Sequence, residues 1–389
     1  MGSISKIGLT ITASTILSLT TTSSAIAASF YSITDIGVIG RNEQTGQESS
    51  QAFGINNKNQ VVGVSTIGFT PLGGGGFVWD SQNGFQNIAI SSLGPFGNTR
   101  AYGINDKGIV VGDTVTGRQS RRGFAWDSQT AQELNNLNLT LPTNPVVAFS
   151  LARAINNNNQ VVGSSTIEQG ERAYISDSIN GIRNLGTLGA NTNDSNYGAS
   201  AAYAINDKGE VVGSSDGKVF LWDSTNGLQD LKFTGIGFGI NEKTQVVGVT
   251  SSGRELAFLW DRANGIQSLG ALPNNTNNTS QAFSINENSQ IVGLSSSEQG
   301  NRAVIWQNGI ISDLNNLIPS NSGWVLNEAR GINDAGYIVG TGVINNVQHA
   351  FLLQPVSPST QIPESRTTLG LLIFATGAIV TWKRKFKVI

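Results

Sequence analysis

The chain has 389 residues, of which only 13% are charged, and its 24 Lys and Arg against 26 Asp and Glu give a net charge of −2. Such a nearly neutral chain argues against nucleic-acid binding, which depends on an excess of positive charge. Arg118, Arg121 and Arg122 form a small local basic cluster, which we expect in an exposed loop. With no Cys and one His, the chain excludes disulfide-stapled scaffolds, thiol chemistry and zinc sites of the His/Cys type.

The N-terminus has the pattern of a secretory signal peptide over residues 1–27. Lys6 is its only charge, residues 7–19 are apolar, and Ala25-Ile26-Ala27 has the small-x-small form of a cleavage site. We expect export, with signal peptidase cutting after Ala27. A buried N-terminal helix is the weaker alternative, because a polar Thr/Ser run leads straight into the small residues.

One motif occurs seven times in the rest of the chain. It consists of small and hydrophobic residues, Ile-Asn, a short turn rich in Asn, Asp, Lys and Gly, and then Val-Val-Gly or a close variant. The copies begin at Ala52, Ala101, Ala152, Ala202, Gly237, Ala282 and Ala329. Repeats of this length indicate stacked copies of one small unit that cannot bury its apolar face alone.

Each copy predicts four short β-strands. Ala-Phe-Gly-Ile-Asn is the first, Gln-Val-Val-Gly the second, a segment ending in Trp-Asp the third, and a segment after an Asn-Gly turn the fourth. No part of residues 28–355 has a helical period with start and stop signals. Four-stranded units of this size, repeated four to eight times, are typical of β-propellers. We therefore expect an all-β, seven-bladed β-propeller over residues 28–355.

The two ends of the array predict how the ring closes. The last copy stops at Phe351-Leu352-Leu353 and lacks a fourth strand, whereas Tyr31–Val38 precedes the first copy and resembles an unpaired fourth strand. We expect this N-terminal strand to pair with the last copy and so remove two sheet edges. An open β-solenoid or two stacked sheets are the alternatives.

Gly and Trp recur at fixed places in the copies and predict packing. A Gly follows each Val-Val pair, where it would permit close backbone approach or a strand bend. The Trp of each Trp-Asp pair is expected to pack between neighbouring blades. The glycines are Gly63, Gly112, Gly163, Gly213, Gly248, Gly293 and Gly340.

The reactive side chains indicate no catalytic, cofactor or metal site. His349 occupies a repeat position held elsewhere by Arg172, Leu256 and Arg302, so we expect a structural or exposed role, and no Gly-x-Ser-x-Gly elbow supports a Ser-His-Asp triad. The first-to-second-strand turns are too short and carry too few carboxylates for a twelve-residue calcium loop, although a weak surface calcium site stays open.

The Asp residues of the Trp-Asp segments recur in equivalent places, which favours capping of the hairpin that follows over the paired carboxylates of a glycosidase. They are Asp80, Asp127, Asp177, Asp223 and Asp261.

The C-terminus combines a Ser/Pro/Thr linker with a sorting motif over residues 356–366, an apolar transmembrane helix over residues 367–382, and a basic tail over residues 383–389. This order resembles the bacterial PEP-CTERM sorting signal. Pro363 and Glu364 match its Pro-Glu-Pro-like motif, and Ser365 replaces the second proline. The tail carries Lys383, Arg384, Lys385 and Lys387, which the positive-inside rule keeps in the cytoplasm. The resemblance implies cleavage by an exosortase; a permanent single-pass anchor is the alternative.

The repeats are similar to the extracellular HAF repeat family, named for a His-Ala-Phe run. The likeness rests on segments such as Ala52–Asn56, Val61–Gly63 and Gly76–Asp80, and the last copy keeps the tripeptide as His349-Ala350-Phe351. It implies secretion and a repeat fold, without a known activity.

Three functions remain open at this point. The first is a non-enzymatic binding module, displayed on the cell surface or held in the extracellular matrix, with a polysaccharide or a surface protein as partner and with the insertions at 191–200 and 274–280 as contact loops. The second is a propeller lyase or hydrolase acting on extracellular polysaccharide, which needs a non-repeated cluster of Asp, Glu, Tyr or Arg in the central channel. The third is a structural matrix protein without a ligand.

Overall fold

The structure is a computed structural model. It describes residues 30–41, 46, 48–66, 75–90, 98–115, 120–134, 149–168, 170–189, 198–273 and 277–356. The expected signal peptide, the C-terminal linker with Pro363, Glu364 and Ser365, the transmembrane helix and the basic tail lie outside these residues, as do 191–197 and 274–276 of the two insertions. No helix within the described ranges is long and apolar enough to cross a membrane.

The described residues form antiparallel four-stranded ladders, each built from one copy of the motif, which we call a unit. The first strands are β2 (Ser50–Ile55), β6 (Thr99–Ile104), β10 (Ser150–Ile155), β14 (Ser200–Ile205), the second half of β17 (Gly227–Ile240), β21 (Ser280–Ile285) and β25 (Val325–Ile332). The second strands are β3 (Val61–Ser65), β7 (Ile109–Val115), β11 (Val161–Ile167), β15 (Val211–Ser215), β18 (Val246–Thr250), β22 (Ile291–Ser297) and β26 (Ile338–Ile344).

The third and fourth strands complete each ladder. The third strands are β4 (Gly75–Asp80), β8 (Arg121–Asp127), β12 (Gly170–Asp177), β16 (Lys218–Asp223), β19 (Ala257–Asp261), β23 (Gly300–Gln307) and β27 (Val347–Pro355). The fourth strands are β5 (Gly84–Asn87), β9 (Gln132–Glu133), β13 (Gly181–Gly186), the first half of β17, β20 (Gly265–Ser268), β24 (Ile310–Asp313) and β1 (Tyr31–Gly37). One 3₁₀ turn, Leu314–Asn316, follows β24.

The strand β17 was not expected as one element, because the sequence predicts a separate fourth strand and first strand there. It is the last strand of one ladder and the first of the next, so two units share a seven-stranded sheet. Two residues with positive φ, Lys232 at 71° and Gly235 at 152°, lie where β17 passes from β16 to β18. The chain changes ladder through these local bends instead of a loop.

The N-terminal strand pairs with the last unit, as the sequence predicts. β1 runs antiparallel to β27 with Tyr31 opposite Pro355 and Ile33 opposite Leu353. His349 lies in the same ladder, and its Nδ1 is 2.9 Å from Oδ1 of Asp35 on β1. A strand from one end of the chain thus completes the unit formed by the other end and covers the outer edge of β27.

The apolar core lies between the units. Each of its clusters joins side chains of two successive units, and one of them joins Val339 and Leu352 of the last unit to Val61 and Trp79 of the first. The first strands contact one another in the same cyclic order, including β2 with β25. The fold is therefore propeller-like, and the expectation that Trp packs between units is confirmed for Trp126, which lies against Val62 and Val78 of the preceding unit.

The Gly after each Val-Val pair is required by close backbone approach, which confirms one of the two expectations for it. A Cβ on Gly112 would overlap the carbonyl oxygen of Arg100 on the neighbouring first strand, and the equivalent overlap recurs at the same Gly of the other units. In each case the first strand has a bulge opposite this point. The bulge brings the carbonyl towards the second strand, and only Gly leaves room for it.

Candidate functional site

A channel runs between the first strands, and its side chains are set by one repeated backbone irregularity. Each first strand carries a β-bulge two residues before the Ile of the Ile-Asn pair, so that in the first unit Ala52 pairs with Gly63 and Gly54 with Val62. The bulged residue, Phe53 in that unit, has no partner in the ladder. β-Bulges re-aim side chains, and here the seven bulged side chains line one cavity of about 290 Å³.

We call this end of the channel the aromatic mouth, because five of the seven bulged residues are aromatic and two are Arg. In order around the channel they are Phe53, Tyr102, Arg153, Tyr203, Phe238, Phe283 and Arg330. All are partly exposed except Phe283, which is 9% exposed. The mouth therefore offers apolar ring surface to a ligand while it remains open to solvent.

The side chains of the aromatic mouth contact one another around its rim. The ring centroids of Tyr203 and Phe238 are 5.4 Å apart in an edge-to-face arrangement, and those of Phe238 and Phe283 are 5.6 Å apart. The guanidinium of Arg153 lies 4.6 Å from the Tyr203 ring centroid, and that of Arg330 lies 4.0 Å from the Phe283 centroid. These aromatic and cation–π contacts hold the rings in place before any ligand arrives.

The two arginines differ in their charge partners. Arg330 forms an ion pair of 2.8 Å with Glu328. Within the described residues Arg153 has no carboxylate at ion-pair distance, and its Nε is buried without a hydrogen-bond acceptor. Of the two arginines that line the aromatic mouth, Arg153 is therefore the one without a carboxylate partner among the described residues.

Tyr102 brings a second polar group to the aromatic mouth. Burial raises the pKa of its hydroxyl, and the negative charge of Asp113 raises it further. Asp113 is fully buried on β7 and pairs with Arg121. The expectation that Arg121 lies in an exposed loop is therefore wrong, because β8 begins at this residue and the buried carboxylate fixes its side chain; Arg118 lies outside the described residues.

The middle of the channel is lined by small and branched residues. The positions after the bulge are Gly54, Gly103, Ala154, Ala204, Gly239, Ser284 and Gly331. A Cβ on Gly103 would lie 3.3 Å from the Cα of Ala154, so small residues here let the first strands approach closely. The Ile of each Ile-Asn pair comes next and lines cavities on both sides, which separates the aromatic mouth from the opposite end.

The Asn of each Ile-Asn pair ties its own turn to the next unit. Asn206 Oδ1 accepts the backbone N–H of Glu210, and its Nδ2 donates to Glu210 Oε2 and to the carbonyl of Asn241 in the next unit. The bond to the next carbonyl recurs from Asn56, Asn105, Asn156, Asn241, Asn286 and Asn333. We call this closed cycle of hydrogen bonds the asparagine clasp. The Asn that was predicted to cap its own turn thus also connects its unit to the next one.

The residue after the clasp forms the other end of the channel, the acidic mouth, around a cavity of about 260 Å³. Its seven positions are Asn57, Asp106, Asn157, Asp207, Glu242, Glu287 and Asp334. Each accepts a backbone N–H from the preceding unit, as Glu287 does from Glu242 at 2.7 Å. Burial, and then the charges of Asp207 and Glu287, raise the pKa of Glu242. Within the described residues no group of three or more Asp, Glu, His or Cys side chains is arranged to hold a metal ion.

The sequence-predicted residues lie elsewhere. His349 lies at the β1–β27 closure beside Asp35, and it is not among the residues that line either mouth. The Asp residues of the third strands cap hairpins, as expected: Asp80 Oδ1 accepts the N–H groups of Gln82 and Asn83 at 2.9 and 2.7 Å. The same capping recurs at Asp127, Asp177, Asp223 and Asp261.

The residues of the aromatic mouth were not predicted from the sequence. The signal was present at the second position of each copy, where five aromatics and two Arg stand between otherwise small residues. A bulge is not visible in sequence, so nothing marked this position as facing a channel.

Comparisons with known proteins agree with the fold and say little about function. A family model described as a protein of unknown function (DUF3466) matches residues 17–174. No curated protein matches the chain. A puromycin-hydrolyzing peptidase from Mycobacterium tuberculosis aligns over 80% of this chain and 52% of its own, at 10% identity and a TM-score of 0.51. This similarity supports the propeller-like fold alone.

Two further solved structures align with lower scores. TolB from Acinetobacter baumannii aligns over 79% of this chain and 64% of its own, at 10% identity and a TM-score of 0.36. A Trypanosoma rangeli sialidase aligns over 83% and 59%, at 10% identity and a TM-score of 0.37. The chain thus spans between about half and two thirds of the length of these three proteins.

Proposed function

We propose that the chain is an exported, non-enzymatic carbohydrate-binding protein built as a seven-bladed β-propeller, with the aromatic mouth as its ligand site. The observation that carries this proposal is the repeated bulge that turns five aromatic and two Arg side chains into one cavity. Large apolar side chains around a solvent-open cavity add little burial to the fold, so a purely structural role does not explain them.

Carbohydrate is the ligand class that fits these groups. Sugar rings present flat C–H faces that stack on aromatic rings, together with hydroxyl groups that bond to Arg and Tyr. The cavity, at about 290 Å³, lies at the small end of ligand pockets, so it suits one ring-sized group better than a protein surface. The surface also has few charges, with 13% charged residues in the chain.

Export follows from the signal-peptide pattern of residues 1–27. The PEP-CTERM-like order at the C-terminus adds membrane insertion and processing by an exosortase, so the propeller is placed at the cell surface or in the extracellular matrix. Intact-mass measurement of protein from culture medium and from membranes tests this placement. A C-terminus cut near Pro363 supports processing, and an intact tail in every fraction contradicts it.

Binding is tested with the purified full-length chain on an array of neutral and acidic oligosaccharides. Saturable binding without turnover is expected, and Phe238→Ala and Tyr203→Ala should weaken it at least tenfold, because each removes a stacking face. Phe30→Ala is the matched control, since Phe30 is 61% exposed and does not line the channel. Equal losses in all three variants, or no saturable binding, would overturn the proposal.

A second candidate function, a lyase or hydrolase acting on extracellular polysaccharide, is favoured by one observation. Tyr102, Asp113 and Arg153 form the kind of non-repeated polar group in or beside the channel that such an enzyme needs. The raised pKa keeps the Tyr102 hydroxyl protonated, so that it would act as a hydrogen-bond donor to the substrate. Turnover of a bound oligosaccharide that is lost in Tyr102→Phe, while binding is kept, would establish this function over the first.

A further inference from the structure

We infer that the aromatic mouth selects a sugar that carries a carboxylate and lies at the end of its chain. This inference rests on the proposed function and adds the charge of the ligand and the part of the glycan that enters. Arg153 is the residue that selects the carboxylate, and the rings beside it receive the sugar.

Arg153 is held as a free cation by its surroundings. Its guanidinium lies over the Tyr203 ring, and within the described ranges no Asp or Glu pairs with it. A guanidinium presents a planar fork of donors that matches the two oxygens of a carboxylate. The contact with the Tyr203 ring restrains the guanidinium, so less side-chain freedom is lost when an anion binds.

Arg330 provides a comparison within the same ring. It has the same bulged position and a similar stacking distance, 4.0 Å to the Phe283 centroid, but Glu328 neutralises it. The Arg stacked at one side of the mouth is thus compensated and the Arg stacked at the other side is not. This asymmetry gives the ligand one preferred place for its negative group.

The opposite end of the channel favours entry of an anion from the aromatic side only. The acidic mouth carries five carboxylates, on Asp106, Asp207, Glu242, Glu287 and Asp334, and repels negative ligands. The Ile layer lies between the two ends, and the asparagines of the clasp line the acidic end. A glycan chain therefore does not thread through the ring, and only its terminal residue reaches Arg153.

The test uses the purified full-length chain and pairs of oligosaccharides that end in glucuronate, galacturonate or mannuronate, each compared with its own carboxyl-reduced form. Dissociation constants are measured by calorimetry at neutral pH. At least one acidic form should bind about tenfold more tightly than its reduced partner, because a charge-assisted bidentate contact is lost on reduction.

Arg153→Gln should abolish that tenfold difference without loss of folding, and Arg153→Lys should restore part of it, because the charge returns without the fork. Arg183→Gln is the matched control, since Arg183 also stacks on an aromatic ring, Trp222, and does not line the aromatic mouth. It should keep the full difference. Unchanged thermal unfolding of Arg153→Gln shows that the loss is one of recognition.

The outcomes separate this inference from the proposed function. Equal binding of acidic and reduced forms that still depends on Phe238 and Tyr203 overturns the role of Arg153 and leaves carbohydrate binding standing. Binding of internal sugars as tight as that of terminal ones overturns the end-on mode. No binding of either form overturns both proposals.

Discussion

The side-chain Nδ2 of Asn333 donates a hydrogen bond to the backbone carbonyl of Asn56, 3.1 Å away, across 277 positions of sequence. It is the same bond that Asn56 makes to Asn105 at 2.9 Å, and it makes the asparagine clasp a closed cycle. Together with the pairing of β1 and β27, this bond places the last unit beside the first. The two mouths exist as rings because this junction is closed.

Substitution of a clasp residue should destabilise the fold. Asn333→Ala removes the hydrogen bond to the carbonyl of Asn56, which keeps the N–H of Asn59, and leaves the N–H of Tyr337 without its acceptor. Because a buried unsatisfied group costs about 1–3 kcal/mol, the free energy of unfolding should fall by an amount in that range. Chemical denaturation measures it. Asn301→Ala, at an exposed site in the β22–β23 hairpin, should change it little; similar values for both variants would contradict a role for the clasp.

The Gly after the Val-Val pair should not accept a side chain. In Gly112→Ala the new methyl group meets the carbonyl oxygen of Arg100, and the bulged first strand must shift. Overpacking of this kind costs about 1–3 kcal/mol. Gly189→Ala is the control, because its Cβ would meet only the end of the flexible Asp216 side chain, at 3.0 Å. Equal thermal stability of Gly112→Ala and the natural chain would show that the close approach is not required.

The acidic mouth should make stability depend on pH through Glu242. Burial and then the neighbouring carboxylates raise the pKa of Glu242 when folded, so the unfolded chain loses this proton first as pH rises. The free energy of unfolding therefore falls as pH rises above the ordinary Glu pKa, because the charged carboxylate is less favourable in the folded state. Below the ordinary Glu pKa the carboxyl is protonated in both states and this loss is absent. Glu242→Gln keeps the acceptor for Asp207 N–H and removes the charge. We expect it to be more stable than the natural chain at pH 7 and equal to it at pH 3.

Unfolding curves of both proteins at several pH values check this expectation. The exposed Glu298→Gln serves as the control for loss of one negative charge. A Glu242→Gln variant that is less stable than the natural chain at pH 7 would contradict the account of the acidic mouth.

The hairpin caps should make stability depend on pH in the opposite direction from Glu242. Hydrogen bonds from Asn264 hold the pKa of Asp261 below its ordinary value. Its stabilising effect is therefore present above the ordinary Asp pKa and is lost as pH falls through the lower folded value. Asp261→Asn should destabilise the chain at pH 7, and the difference should shrink in strongly acidic solution. A destabilisation that grows on acidification would show that the charge of Asp261 is not what caps the turn.

Much of the fold could be predicted from the sequence because most units repeat the same turn chemistry. The positive-φ position of the first turn is held by Asn59, Gly108 and Asn159, among others, at 62°, 82° and 60°. These residue types tolerate that conformation and so mark the strand boundaries. The pairing of Tyr31–Val38 with the last unit could be predicted because the last copy lacks a fourth strand. The continuous strand β17 could not, because the bend at Lys232 has no typical residue signal.

The candidate site was harder to predict because it depends on a bulge and on distant units. Alternation alone places Phe53 on a strand face but does not show that the bulge turns it into a channel with Arg153 and Tyr203. The free charge of Arg153 is likewise a relation between units, since it depends on which carboxylates come near. Sequence repetition reveals what the units share, and the ligand site lies in the position where they differ.

The most direct test of the aromatic mouth as ligand site is a crystal structure of the chain with a bound uronate-terminated oligosaccharide. We expect the terminal sugar between the rings of Tyr203, Phe238 and Phe283, with its carboxylate oxygens within hydrogen-bonding distance of the Arg153 guanidinium. A saturating ligand bound on an outer strand or at the acidic mouth, with the aromatic mouth free of sugar, would contradict the account.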